Sequence, residues 1–320
     1  MDRLDADAYY SLVKEAKPLV AEEILRRFVL VGLVTDDMEG GYDITNLGSI
    51  LFSKRLSDFG LIERKAVRVI KYKGQDKRVS EKEVEGRKGY AVAFSELMKY
   101  ITGILPKEET YRGGIRQMTP MYPETALREI IANALIHQDF TISGSGPVIE
   151  IYDGRIEITN PGNSLIEIDR IIDERRSRNE KLASTMRGLG LCEERGGGLD
   201  KAIIEIEDKN LPPPEFHSSK DSMRVVLHGP KAFSKLSKTE KMRACYFHCV
   251  IRWLKNDYMS NTTLRGRFRL SAEEYQSVSN IISASVKAKR IAQAEPNQGK
   301  RNAKYVPYWA RKSSRRTENA

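Results

Sequence analysis

Apolar residues recur at three- and four-residue steps in several stretches of this 320-residue chain, and each such stretch predicts a helix with one buried face. Tyr9, Leu12 and Val13, then Ile24, Leu25, Phe28, Val29 and Leu30, make the first 35 residues helical. TDDMEGGYDIT reads as a hairpin turn, residues 46–53 as a short apolar helix, and residues 66–72 alternate like a strand. Residues 77–89 carry charge without a period and read as a connector, whereas 90–104 are amphipathic enough for a helix. The clearest pattern is PETALREIIANALIHQD at 123–139. Pro123 suits the first helical position, Glu124 favours the positive end of the helix dipole, and Ala126, Leu127, Ile130, Ile131, Ala134 and Leu135 form the buried face.

Downstream, residues 142–146 read as a turn, and 148–152 and 155–159 as strands joined by Asp153-Gly154, a favoured hairpin loop. A helix is expected from Glu180 to about Arg187 and another over 199–206, then a strand over 223–227. Pro212 to Pro214 and Gly229-Pro230 punctuate a boundary. Beyond it, helices over 240–254, 262–268 and 272–286 precede two short strands near 289–291 and 304–308, the pattern of a winged helix. The fold class is therefore α+β. A helical or αβ segment (1–75) precedes a helix-on-sheet domain (76–229), which is followed by a winged helix (230–310) and a polar tail (311–320) expected to be disordered.

Glu129, Asn133 and His137 recur at four-residue steps beside the apolar face of the 123–139 helix, so they stand one above another along it. Spacing alone leaves two readings of Asn133: an amide satisfied at a helix contact, or a group facing a ligand. Gly196, Gly197 and Gly198 directly precede a helix, where backbone amides and a helix N-terminus can meet phosphate oxygens.

Taken together, LREIIANALIHQDF, RIEITNPG, RSRN and CEERGGGLDK resemble the ATP-binding domain of bacterial transcriptional regulators and helicase-related proteins of the GHKL superfamily. Glu129-x-x-x-Asn133 is similar to that superfamily's N-box. The resemblance implies that Asn133 ligates magnesium, that Glu129 activates the attacking water, and that ATP is the ligand. It places Asn160 where an adenine-reading Asp usually stands, two residues before Gly162, and it makes the stretch with Arg175, Arg176 and Arg178 a lid over the phosphates. An Asn-Pro-Gly turn and a solvated basic loop are the plain alternatives for these two segments. His137 reads as a structural or phosphate-contacting imidazole. Such proteins usually carry a Schlafen/AlbA-type DNA-binding domain upstream. That domain has no counterpart here, so the chain reads as a short form, a fragment or a truncated frame.

Charge changes the picture at the C-terminal end. Residues 230–320 hold 20 Lys+Arg and 6 Asp+Glu, a net +14, against −4 for the remainder of a chain whose total is +10. Such a concentration suggests a polyanion partner, nucleic acid before membrane, with a merely solvated basic surface as the plain alternative; as a DNA-binding winged helix the module would use Arg265, Arg267, Arg269, Lys287, Lys289, Arg290, Lys300, Arg301 and Lys304 as phosphate contacts. Gln276, Ser277, Ser279 and Asn280 are offered to base edges. No apolar run reaches membrane-span length and three scattered cysteines are too few for a disulfide scaffold, so a cytoplasmic protein is expected. Cys245, His248 and Cys249 share one helix but lack a second ligand pair. The expectation is an ATP- and magnesium-binding regulator of transcription, at most a slow ATPase, with homo-oligomerisation left open. A DNA-binding regulator with a decayed nucleotide domain, or a defence ATPase whose winged helix docks a protein, would use the same residues.

Overall fold

The structure, a computed structural model, describes residues 2–112, 115–193, 197–295, 298–299 and 303–313. Gly196, Lys300, Arg301 and all but the first three residues of the 311–320 tail lie outside the described residues. Helices α1 (Ala6–Val13) and α2 (Ala21–Leu30) lead into the hairpin β1 (Val34–Asp36) and β2 (Tyr42–Ile44), then α3 (Asn46–Phe52) and α4 (Gly60–Glu63). Helix α5 (Tyr90–Ile104) packs against α1 and α3 on one side and, further along the chain, against α6 (Glu124–His137).

A six-stranded sheet is the platform. Its order is β4-β3-β7-β8-β10-β9, where β3 is Arg68–Tyr72, β4 Ser80–Glu85, β7 Val148–Tyr152, β8 Arg155–Pro161, β9 Glu215–Ser218 and β10 Ser222–His228. Between α5 and α6 a separate hairpin pairs β5 (Lys107–Arg112) with β6 (Ile115–Pro120), which no sequence period announces. All sheet pairs are antiparallel except β3 with β7, so the 68–72 strand crosses from the N-terminal segment into the sheet of the following domain. One apolar cluster accordingly runs from Leu4 and Phe28 through Leu127 and Ile131 to Ile151 and Leu227.

The connector expected over 77–89 is corrected by β4. All six of its residues are exposed, and it adheres to β3 through its backbone ladder and opposite-charge pairs, Arg68 to Glu83 at 2.6 Å and Lys71 to Glu81 at 3.0 Å. A charged edge strand shows no hydrophobic alternation and is missed for that reason. Pro123 also shifts: its ψ of 131° is extended, so it precedes the helix and Glu124 opens it.

Helix α6 lies on β8, with α8 (Gly198–Asp208) beside it and α7 (Glu180–Gly188) preceding α8 in the chain. Its last turn would leave carbonyls unpaired. Gln138, fully buried, donates from Nε2 to Leu135 O at 2.9 Å, and Asn179 donates from Nδ2 to Ile136 O at 2.7 Å and Gln138 O at 2.8 Å. The RSRN motif thus ends in the residue that closes α6.

After Gly229, α9 (Lys238–Leu254), α10 (Asn261–Arg267) and α11 (Tyr275–Lys287) gather around a second apolar cluster, with the ribbon β11 (Ile291–Gln293) and β12 (Tyr305–Pro307) paired antiparallel. The first ribbon strand begins two residues later than expected. Lys289 sits at φ +55° and its amide returns to Val286 O, so it and Arg290 form the exit from α11 instead of a strand.

Gly162 has φ +93°, and a Cβ there would stand 2.7 Å from Asp139 Cβ. The end of β8 and the loop after α6 approach this closely because Asp139 N donates to Pro161 O at 2.8 Å. Gly162→Ala is expected to lose about 2 kcal/mol or more of stability, the cost of a left-handed L-residue plus the displaced loop, measured by urea unfolding. An unchanged midpoint would show that the loop yields freely.

Candidate nucleotide site

A cleft of about 680 Å³ opens between α6, the end of β8, the 163–178 segment, α7 and the N-terminus of α8. That volume lies within the range of small-ligand and cofactor sites. Glu129, Asn133 and His137 all line it, so the helical spacing read from the sequence does bring them to one wall. Asn160 lines it from the strand end. Its Nδ2 donates to Pro161 O at 3.0 Å, which leaves the acceptor role toward the cleft to Oδ1.

Glu129 is buried at 5% exposure and lies against the start of α8: a Cβ on Gly198 would come within 2.0 Å of Glu129 Oε2. Burial raises its pKa above the ordinary carboxylate value, opposed by the nearby Arg128 charge and by a hydrogen bond from the backbone of Glu193. A carboxyl whose pKa is raised by burial holds a proton more readily than an exposed one. His137 shifts the other way. Burial, then the charges of Arg178 and Arg187, hold its pKa below the ordinary imidazole value. The two guanidinium charges that oppose a cation at His137 would favour an anion in the same place.

Five cations line the cleft: Arg175, Arg176, Arg178, Lys181 and Arg187. Arg178 is committed to the frame, with Nη1 on Asp139 Oδ2 at 2.8 Å and Nη2 on both Asn163 O and Oδ1 at 3.0 Å. Asp139 stays ionised because Thr141 bonds to it and Arg178 and Lys65 stand near. Lys65 is itself buried and pins the 139–145 loop from below, donating to Ile142 O at 2.5 Å and Ser145 O at 3.2 Å. Gly198 lines the cleft; Gly162 and Gly197 are not among its lining residues, and Gly162 serves the close approach to Asp139. Sequence reasoning assigned no role to Lys181, Arg187 or Asn163. Lys181 and Arg187 are the two basic residues of α7, ordinary for a surface helix, and only the position of α7 against the cleft distinguishes them.

The basic residues after Gly229 divide into two sets. Arg267, expected on a DNA phosphate, is corrected: it is 7% exposed, donates to Asn210 Oδ1 at 3.1 Å and Leu211 O at 2.7 Å, and pairs with Glu207 at 3.3 Å. Arg269, still exposed, donates to Asp208 O of the preceding domain at 2.8 Å, and Arg265 donates to Asn261 Oδ1 at 3.0 Å and Ser271 O at 3.2 Å. Lys287 and Lys289 are exposed, Arg290 pairs with Asp169, and Lys304 Nζ stands 5.1 Å from the Tyr258 ring. On the face of α11, Gln276 is bonded to Asn280 at 3.0 Å, and Ser279 accepts from Asn261 at 2.9 Å.

Titratable groups gather elsewhere too. Glu215, His228 and Glu240 lie close together, but Arg243 holds Glu215 at 2.8 Å and Lys231 holds Glu240 at 2.6 Å. Burial raises the Glu215 pKa, yet Arg243 and the imidazoles of His217 and His228 outweigh it and bring it down to about 2. This is an ion-pair network tying β9 and β10 to α9. His248 meets Glu207 through Nδ1 at 2.5 Å, and burial pushes the Cys192 thiol of the cleft up to about 11.

Because the folded-state pKa of Glu129 lies above the unfolded-state value, the native chain binds its proton more tightly. Its ionisation therefore costs stability as pH rises through the carboxylate range, with the full cost above the folded pKa. Glu129→Gln is expected to unfold at a higher temperature than wild type at about pH 8, the gap closing as pH falls to about 4. A gap independent of pH in thermal scans would assign the effect to something other than the buried charge.

Residues 144–227 match the family model described as "Putative ATP-dependent DNA helicase recG C-terminal", which fits an ATPase-related family of the GHKL type. The match begins after α6, so the wall bearing Glu129, Asn133 and His137 lies outside it. No curated protein matches the chain. Among solved structures, the DIP2311 protein from Corynebacterium diphtheriae is similar in fold, with a TM-score of 0.61 at 15% identity. The alignment covers 98% of this chain and 63% of that one, so this chain spans less than two thirds of that protein's length. The fold is shared with that protein, and residues 144–227 carry the signature of an ATPase-related domain.

Proposed function

We propose that the chain binds ATP with magnesium in the α6 cleft and couples that site to a C-terminal winged helix that contacts DNA, as a regulator would. The observation that carries the nucleotide half is the convergence of an acid, an amide and an imidazole from one helix wall with the start of α8 and five lining cations on a single cleft. In this reading Asn133 offers an amide oxygen to magnesium, a hard cation that takes oxygen ligands. The cationic side suits the phosphates, and Asn160 Oδ1 accepts from the adenine amino group. In this reading Glu129 orients water for hydrolysis, which is slow because, among the described residues, no second catalytic group stands opposite it. Isothermal calorimetry with Mg-ATP, paired with single-turnover hydrolysis, tests this. Asn133→Ala is expected to weaken binding at least tenfold, and Glu129→Gln to bind normally but lose turnover. Absence of heat from the wild-type chain would sink the reading.

The DNA half rests on the charge placed after Gly229, with Lys287, Lys289 and Lys304 as its exposed representatives. Arg267 is left out of this surface by its burial. Phosphate contacts release counterions, so affinity for a short duplex should fall steeply with salt. Replacing Lys287 and Lys304 together by Gln is expected to reduce the slope of log affinity against log salt by about two. If the full chain fails to bind duplex DNA even at low salt, the basic face serves another partner.

A further inference from the structure

The segment that closes one side of the cleft is held from two directions. At its end, Arg178 ties it to Asp139 and Asn163. Near its start Ser164 N donates to Ser218 Oγ of β9 at 3.0 Å, and residues 169–170 are held by side chains of the C-terminal module. The Tyr246 hydroxyl donates to the backbone oxygen of Asp169, and Arg290 pairs with the Asp169 carboxylate. The Trp309 indole donates to the Tyr246 hydroxyl at 3.2 Å, which leaves that hydroxyl both donating and accepting. The Arg170 guanidinium stands 4.2 Å over the Trp309 ring while bonding Asp173 at 2.9 Å and Glu174 at 3.0 Å. Between these polar contacts Ile171 and Ile172 line the cleft and also pack into the apolar cluster of the module, Ile172 at 3% exposure. Leu199 and Phe216, two further cleft residues, likewise touch both apolar clusters.

We propose that the C-terminal module is a clamp on the lid, with Trp309, Tyr246 and Arg290 as positioning residues that hold residues 169–174 and so pre-order the 175–178 arginines over the nucleotide. This deepens the nucleotide reading above and rests on it. A ligand drawn against Arg175 and Arg176 acts on a segment only a few residues from Arg170, and Arg170 is stacked on Trp309. The module therefore senses whether the cleft is filled. In the other direction, loosening the clamp leaves the lid to be ordered by the ligand, and that ordering weakens binding.

The chain has two tryptophans, and Trp253 takes no part in the clamp, since its ring neighbour is Tyr258. A Trp253→Phe chain therefore reports from Trp309 alone. On titration with Mg-ATP its emission is expected to shift, half-complete at the concentration that half-saturates the calorimetric signal. Arg290→Met, at a half-exposed position that folding tolerates, is expected to weaken the Kd for Mg-ATP by about two- to tenfold, the cost of one or two side chains ordered on binding. A Kd no weaker than wild type in Arg290→Met, or a silent Trp309 in a chain that gives binding heat, overturns the clamp. Absence of heat from the unmutated chain removes the nucleotide reading and the clamp together, which separates the two failures.

Discussion

The C-terminal end of α6 is the knot of this structure. A helix end leaves carbonyls that must be paired, and here Gln138 and Asn179 pair them from opposite sides in sequence. Asn179 brings the 175–179 segment to the end of α6, and Arg178 beside it pairs with Asp139, the second residue past the helix. Asp139 in turn bonds the end of β8 and requires a glycine at 162. Helix, sheet and the 163–179 segment are thus fastened at one point, and the cleft is the space left between them.

That arrangement explains where the electrostatic cost is placed. Glu129 is buried against the first residue of α8, which must be Gly198 to admit the carboxylate, and its ionisation is disfavoured there. His137, at the other end of the same wall, is disfavoured as a cation by burial and by two guanidinium groups. One helix therefore presents an acid that resists ionisation and a base that resists protonation, on either side of Asn133. Structural economy would place neither group in this position. Folded domains accept such costs chiefly where a ligand makes use of them.

The C-terminal module shows that net charge is not surface charge. Arg265, Arg267 and Arg269 follow one another at alternate positions and read as a basic stripe, yet each donates to a carbonyl or amide oxygen of the chain. Arg267 and His248 meet Glu207 at the end of α8, so the module is seated on the same helix whose other end meets Glu129. The cleft and the module share a helix, the 169–172 segment and part of their apolar packing.

What could be read without the structure is what is local. The period of α6 and its polar line, the Asp153-Gly154 hairpin, the three helices and ribbon after Gly229, and an α+β mixture all follow from contacts within a few residues, which sequence spacing reports directly. Glu129, Asn133 and His137 were legible as one wall because residues four apart on a helix must share a face. The edge strand β4, the role of Asn179 in closing α6, the burial of Arg267 and the gathering of Ile171, Ile172 and Trp309 at the 169–174 segment were not. Each depends on a partner far away in the chain, and a charged residue looks the same in sequence whether it meets water, a carbonyl or a distant carboxylate. The sequence determined which helix could carry chemistry; only the tertiary structure decided what stands opposite it and which charges remain free to act.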